Sequence, residues 1–210
     1  VITMSKNFSL THAAAKMACE EVNKDAGKEV ALVFDSLTGG FGEGLVALKA
    51  FELCKNEQSL ENIKTQLDEY IKKVRTEFVV DDLKYLSNQG LFSYLTAKGH
   101  DLLSITPILH ADDEGVIKIV SAARTFDRAL KQLCDNVIKN IADKNSLVFI
   151  SHCDATQKAE MCRRYLFDAG ITNIEIDYHD LITGAHIGPG AVVIAYEGEN
   201  RTYKNHNKNK

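Results

Sequence analysis

The residues best placed to do chemistry lie in Thr183-Gly-Ala-His186-Ile-Gly188-Pro189-Gly190, where one histidine stands beside a glycine-proline-glycine turn that runs into an apolar strand. Pro189 fixes its own φ while Gly188 and Gly190 are free to take positive φ, so the turn can offer backbone N–H groups and a side chain together. An imidazole donates from both nitrogens when protonated and from one when neutral, which suits it to a carboxylate or a phosphate. The plainer alternative is a tight connection carrying an exposed loop histidine. Two further stretches combine hydroxyls with a turn: Ser5-Lys-Asn-Phe-Ser9-Leu-Thr11, and Asp35-Ser36-Leu-Thr38-Gly39-Gly40-Phe-Gly42-Glu-Gly44. Glycines at a helix start let an anion approach free N–H groups, but the spacing G-G-x-G-x-G matches neither the P-loop nor the dinucleotide fingerprint.

Other constellations have structural explanations. In Ser151-His152-Cys153-Asp154 neighbouring side chains on a strand point to opposite faces, so His152 and Cys153 do not meet, and Asp154 is expected to cap the following helix. Asp81 and Asp82 do not converge on one reacting atom from a single element, and Asp82 is expected to cap a helix. With no G-x-S-x-G elbow and no closely spaced zinc ligands, no catalytic residue and no metal site is assigned.

These loops need elements to hold them. Residues 1–4 read as the end of a strand already under way, from which we expect a preceding segment outside this chain. A helix is expected over 12–23, a continuous apolar strand over 29–34 and a helix over 45–53. Ser59 is placed to cap a helix whose stripe is Leu60, Ile63, Leu67, Tyr70, Ile71 and Val74, and residues 77–80 read as a strand. A domain boundary is expected at the break Asn88-Gln89-Gly90. Beyond it, residues 105–111 and 116–121 flank Asp112-Asp113-Glu114-Gly115, the pattern of an antiparallel hairpin with glycine in the left-handed position. Then come a helix over 125–142, a strand over 146–151, a helix over 156–168, a strand over 173–178, and the histidine loop with its strand to Tyr196. The expected fold class is therefore α/β with two α/β domains. Residues 1–88 form a partial N-terminal domain with a mainly parallel sheet, and 89–200 a C-terminal domain whose mixed sheet contains the antiparallel hairpin. The polar tail 201–210 is expected to fray. Polar loops recur at the carboxyl ends of the strands, where open α/β sheets bind ligands. Two hydroxyl loops and one histidine loop over apolar helices suit a ligand with an anionic end and a greasy body.

Composition narrows the partners. A chain of 210 residues, 45% of them hydrophobic, can bury a substantial core. Its net charge of −4 and dispersed Lys and Arg argue against nucleic acid. The cysteines number five, fall mostly in apolar patterns and form no C-x-x-C pair, which points to reduced thiols and a cytoplasmic location. No run approaches the ~18 apolar residues of a membrane span, so membrane contact is transient at most.

Taken in order, these motifs resemble the DegV family, whose members include the fatty-acid-binding subunit of bacterial fatty acid kinase. Ser5-Lys-Asn-Phe-Ser9-Leu-Thr11 is similar to the family's S-x-x-x-S-G-T loop, and Asp35-Ser36 with Gly42 and Gly44 to its D-S…G-x-G loop. Val80-Asp-Asp-Leu-Lys-Tyr-Leu86 is similar to the segment before its G-G-R turn. Pro107-Ile-Leu, Gly115 and Arg124-Thr125 follow in the family's order, and His186-Ile-Gly188-Pro189-Gly190 is similar to its H-T-G-P-G. Leu10, Gln89, Leu91 and Ile187 depart from those patterns. The resemblance implies a long-chain fatty acid between two domains, no further cofactor, and no catalysis by this chain. It implies that Thr11, Ser36 and His186, with Gly188 and Gly190, hold the carboxylate. It also implies that Arg124 docks the catalytic subunit of a fatty acid kinase, which turns the acid into an acyl phosphate. The alternative reading is an enzyme acting on a small phosphorylated or carboxylated substrate at the glycine-rich loops.

Overall fold

The computed structural model describes residues 1–56, 59–88 and 105–201. Strand β1 (Ile2–Thr3) pairs in parallel with β2 (Phe34–Asp35) across the helix α1 (Thr11–Ala26). The strand expected over 29–34 shrinks to its end, and Asn23 takes part of the backbone before it. Its Oδ1 accepts from the N–H of Val30 at 2.7 Å and of Ala31 at 2.8 Å, and its Nδ2 donates to the Ala31 carbonyl. Helices α2 (Phe41–Lys55) and α3 (Leu60–Ile71) follow, with Ser59 Oγ accepting from Asn62 N–H at 3.3 Å as the α3 cap.

The second sheet has six strands in the order β5-β4-β3-β8-β6-β7. Strand β3 (Val74–Val79) is antiparallel to both β4 (Thr106–Ala111) and β8 (Val192–Glu197). Strand β5 (Ile117–Ala123) closes the expected hairpin on β4, with Gly115 at φ 74°. Strand β6 (Val148–His152) runs antiparallel to β8 and parallel to β7 (Ile174–Tyr178). The fold class is therefore α/β, with a small parallel sheet and a mixed sheet. The sequence reading grouped β3 with the first 88 residues, yet its hydrogen bonds put it inside the mixed sheet. Gln89, Gly90, Leu91 and the tail beyond Arg201 lie outside the described residues.

Side-chain alternation on β3 and β8 divides the sheet into two faces. On one, Val79, Ile108, Ile150 and Ile194 are buried beneath α5 (Phe126–Asn140) and α6 (Thr156–Asp168), which contribute Leu133, Val137, Ala159 and Leu166. Charges are also buried here. Glu77 Oε1 accepts from Tyr196 O–H at 2.7 Å and lies 3.5 Å from Arg75 Nε, and Oε2 accepts from Asn136 Nδ2 at 3.0 Å. On the other face, Val74 and Ala195 pack with α2, α3 and Phe34, while Phe78 and Val193 pack with Leu86 of α4 (Lys84–Asn88) and Ile187 of α7 (Leu181–Ile187). The space between these two packings holds the cavity described below.

Two local expectations are corrected. Asp154 does not cap α6, because it takes φ 51° and the cap position falls to Ala155, whose N–H donates to His152 Nδ1 at 3.3 Å. Arg201, counted with the fraying tail, is 2% exposed and donates to the carbonyls of Ser36, Leu37 and Ile71. Among the described residues no helix is long and apolar enough to cross a membrane.

Candidate functional site

A cavity of about 300 Å³ lies on the second face of the mixed sheet. Thr76 and Phe78 of β3, Ala111 of β4, Ile117 of β5 and Val193 of β8 form its floor. The loop after β1 adds Met4, Phe8 and Ser9, the first residue of α1 adds Thr11, and the loop after β2 adds Thr38 and Gly39. Leu86 of α4, His179 after β7, and Ile182, Thr183, His186 and Ile187 of α7 complete the wall. The volume is at the lower end of the range of about 300–1,000 Å³ for small-molecule sites, and the lining has their usual character, apolar with a few placed polar groups.

The polar groups come in pairs. Ser9 Oγ accepts from Thr11 N–H at 3.1 Å and lies 2.8 Å from Thr11 Oγ1. Thr38 Oγ1 donates to Thr76 Oγ1 at 2.8 Å, and the two residues are 1% and 8% exposed. Since each hydroxyl carries one proton, Thr76 retains its own after accepting from Thr38.

His186 sits on a helix rather than on the expected loop. Asp180 makes the difference, since its Oδ1 accepts from Thr183 N–H at 2.9 Å and so caps α7. That bond, with others from the same turn, outweighs partial burial and keeps the Asp180 carboxyl below its ordinary range. His186 Nδ1 lies 2.6 Å from the Ile182 carbonyl. A carbonyl only accepts, so Nδ1 carries the proton and Nε2 is the atom left for a ligand. It accepts when the ring is neutral and donates when the ring is protonated.

The other expected contacts lie elsewhere. Ser36 is fully buried and turns back to donate to the Thr38 carbonyl at 3.2 Å, so Thr38 reaches the cavity from this loop and Ser36 does not. Gly188 and Gly190 do not line the cavity, and their N–H groups donate to the carbonyls of Gly184 and Cys153 at 2.9 and 2.7 Å. Their positive φ and missing side chains serve packing: a Cβ at Gly188 would overlap the ring of Tyr85, and one at Gly190 would lie 2.8 Å from Asp81 Cβ. Arg124 is exposed between β5 and α5, next to Thr125, whose Oγ1 caps that helix. The structure thus brings Thr11 and His186 to one cavity and keeps Ser36, Gly188, Gly190 and Arg124 off its lining.

Sequence reasoning missed Thr38, Thr76 and His179. Thr76 had a local signal, a polar residue between Val74 and Phe78 on one face of a strand. His179 had none. Its Nδ1 lies 2.6 Å from Ser151 Oγ, 28 positions away. Burial pushes the His179 pKa below its ordinary value against the opposing pull of Asp180, and burial with repulsion from Asp180 raises that of the half-buried Glu43. Among the described residues no group of three or more His, Cys, Asp or Glu is arranged to hold a metal ion.

Residues 1–199 match the profile of a family described as uncharacterised protein, DegV family. A DegV domain-containing protein of Streptococcus pyogenes serotype M3 is 30% identical over 200 residues, covering 95% of this chain and 69% of that protein. Among solved structures, a fatty acid binding DegV family protein from Streptococcus agalactiae superposes with a TM-score of 0.84 at 26% identity, over 95% of this chain and 71% of the other. The fatty acid kinase B3 protein of Streptococcus pneumoniae, solved loaded with linoleic acid, superposes with a TM-score of 0.82 at 20% identity, over 94% of this chain and 70% of the other, a likeness of fold.

Proposed function

Because this chain belongs to the DegV family, we propose that it is a binding protein for a long-chain fatty acid, with the carboxyl group among the polar residues of the cavity and the acyl chain against its apolar wall. The observation that carries the reading is the lining. Phe8, Phe78, Leu86, Ile117, Ile187 and Val193 offer no hydrogen bond to a ligand, whereas Thr11 and His186 offer two at the same cavity. An amphiphile with one polar end matches that division, and a small polar metabolite does not. In this reading Thr11 and His186 hold the carboxyl group and Thr76, whose O–H proton remains after it accepts from Thr38, contributes the hydroxyl expected of Ser36.

The protein presents the acid rather than transforming it. A partner kinase catalytic subunit converts the bound carboxylate to an acyl phosphate, and Arg124, exposed beside the cap of α5, belongs to the docking surface. The fold shared with the kinase B3 protein supports this assignment. A cytoplasmic location accords with five cysteines, none of them in a disulfide. Against the enzyme alternative, the Ser–His contact at the cavity faces the wrong way, since His179 lines the wall while Ser151 is 1% exposed behind it.

Solvent extraction of the purified protein followed by mass spectrometry tests the reading. Bound acyl chains, or stoichiometric uptake of added oleate, are expected; lipid-free extracts together with no uptake would overturn it. For the docking surface, Arg124→Ala should leave oleate affinity unchanged and weaken acyl phosphate formation with the cognate kinase. Equal loss of both would mean only that the fold is damaged.

A further inference from the structure

His179 lies in none of the loops that the sequence singles out, yet the fold holds its ring closely. Its backbone N–H donates to the His152 carbonyl at 3.0 Å, and Nδ1 lies 2.6 Å from Ser151 Oγ. The Cε1–Nε2 edge lies over Gly40, where an added Cβ would stand 2.7 Å from Cε1 and 3.0 Å from Nε2. Gly40 occupies the N-cap position of α2 at φ 55° and ψ −132°, a region that favours glycine. Helices commonly place a Ser, Thr, Asp or Asn oxygen at this position. Here the space belongs to an imidazole edge brought in from the end of β7.

Ser151 fixes the tautomer. At 1% exposure its hydroxyl proton needs an acceptor, and the Nδ1 lone pair of a neutral imidazole supplies one. The ring proton then sits on Nε2, and the burial that lowers the pKa of His179 keeps the ring neutral. His186 has the opposite arrangement, with Nδ1–H on the Ile182 carbonyl and a lone pair on Nε2 while the ring is neutral. One cavity therefore carries one imidazole fixed as a donor and another that accepts until it is protonated.

We propose that His179 is a ligand-binding residue of this cavity, donating Nε2–H to a carboxyl oxygen of the bound acid, with Ser151 as its positioning residue. The proposal rests on the fatty-acid reading and adds to it a donor that needs no change of protonation.

The test measures oleate affinity, by displacement of a fluorescent fatty acid, for the parent and for His179→Phe, His179→Gln and Ser151→Ala. Phenylalanine keeps the ring without a donor and should weaken oleate about tenfold. Glutamine restores an N–H donor and should recover most of that loss, which a purely structural ring would not predict. Ser151→Ala frees the ring to adopt both tautomers and should cost roughly twofold. Nitrogen NMR of the parent should show His179 protonated on Nε2 and that resonance shifting when oleate is added. If the parent binds oleate and His179→Phe binds it equally well, or if glutamine gives no recovery, His179 is a structural residue and the inference fails alone. A parent that binds no oleate overturns the fatty-acid reading and the inference together. Should His179→Phe fail to fold, the glutamine variant and the NMR shift still decide.

Discussion

Replacing His186 by alanine is the sharpest test of the head-group assignment. The substitution removes the Nδ1–H bond to the Ile182 carbonyl, but that carbonyl is near the surface and water replaces the donor, so the fold should lose no more than about 1 kcal/mol. The ligand loses more. A hydrogen bond from the ring to a carboxylate is charge-assisted and worth about 1.5–3 kcal/mol, or roughly a ten- to hundredfold weaker affinity for oleate. Because Nδ1 is committed to a carbonyl, Nε2 is the atom that meets the carboxyl group, and displacement of a fluorescent fatty acid should show the weaker binding of the variant. Methyl oleate, which carries no charge and no acidic proton, should bind parent and variant nearly alike. If His186→Ala binds oleate as tightly as the parent, the histidine does not hold the carboxyl group.

Three further outcomes concern the scaffold. Tyr196→Phe strips the O–H that Glu77 Oε1 accepts at 2.7 Å inside the core and should cost about 1–3 kcal/mol in urea denaturation; a loss below about 0.5 kcal/mol would show that the bond contributes little. Arg201→Met keeps the apolar stem but leaves the carbonyls of Ser36, Leu37 and Ile71 without their charged donor, with an expected loss of about 3 kcal/mol by the same assay. His110, on β4, is pushed by burial, against the pull of Asp112, from an ordinary 6.5 to about 4. The unfolded chain therefore binds a proton that the folded one refuses between those values, so stability falls as pH drops from 7 to 4, by up to about 3 kcal/mol. His110→Gln should flatten the acid limb of a melting-temperature profile, and an unchanged slope would assign the acid sensitivity to other groups.

Local signals made much of the fold legible. Ser59 announced α3, Gly115 announced the hairpin, and α6 (Thr156–Asp168) covers the span expected of that helix. Where a distant residue intervened, the pattern misled. Residues 29–33 are apolar enough for a strand, but the Asn23 amide satisfies part of their backbone and only β2 remains. The stretch around His186 reads as a turn because of its glycines and Pro189, while the Asp180 cap and the buried Ile187 make residues 181–187 helical. The cavity divides the same way. Thr11 and His186 sit in motifs that can be read along the chain. Thr76 gains its role only against Thr38, 38 positions away, and His179 only against Ser151 and Gly40, pairings that no periodicity carries.

The antiparallel pairing of β3 with β8 sets the timing of folding. Val74–Val79 cannot complete its ladder until Val192–Glu197 has joined it, and that closure spans more than a hundred intervening residues. Such long-range closure slows folding and leaves strand edges exposed while it is pending. Phe78 and Val193, paired across this seam, also form part of the cavity floor, so the pocket is incomplete until these two strands have joined. A nascent or nicked chain ending before residue 192 would leave facing edges of β3 and β6 bare, inviting chaperones or aggregation. Any ligand of the finished pocket, binding only the closed sheet, would hold that seam shut by mass action.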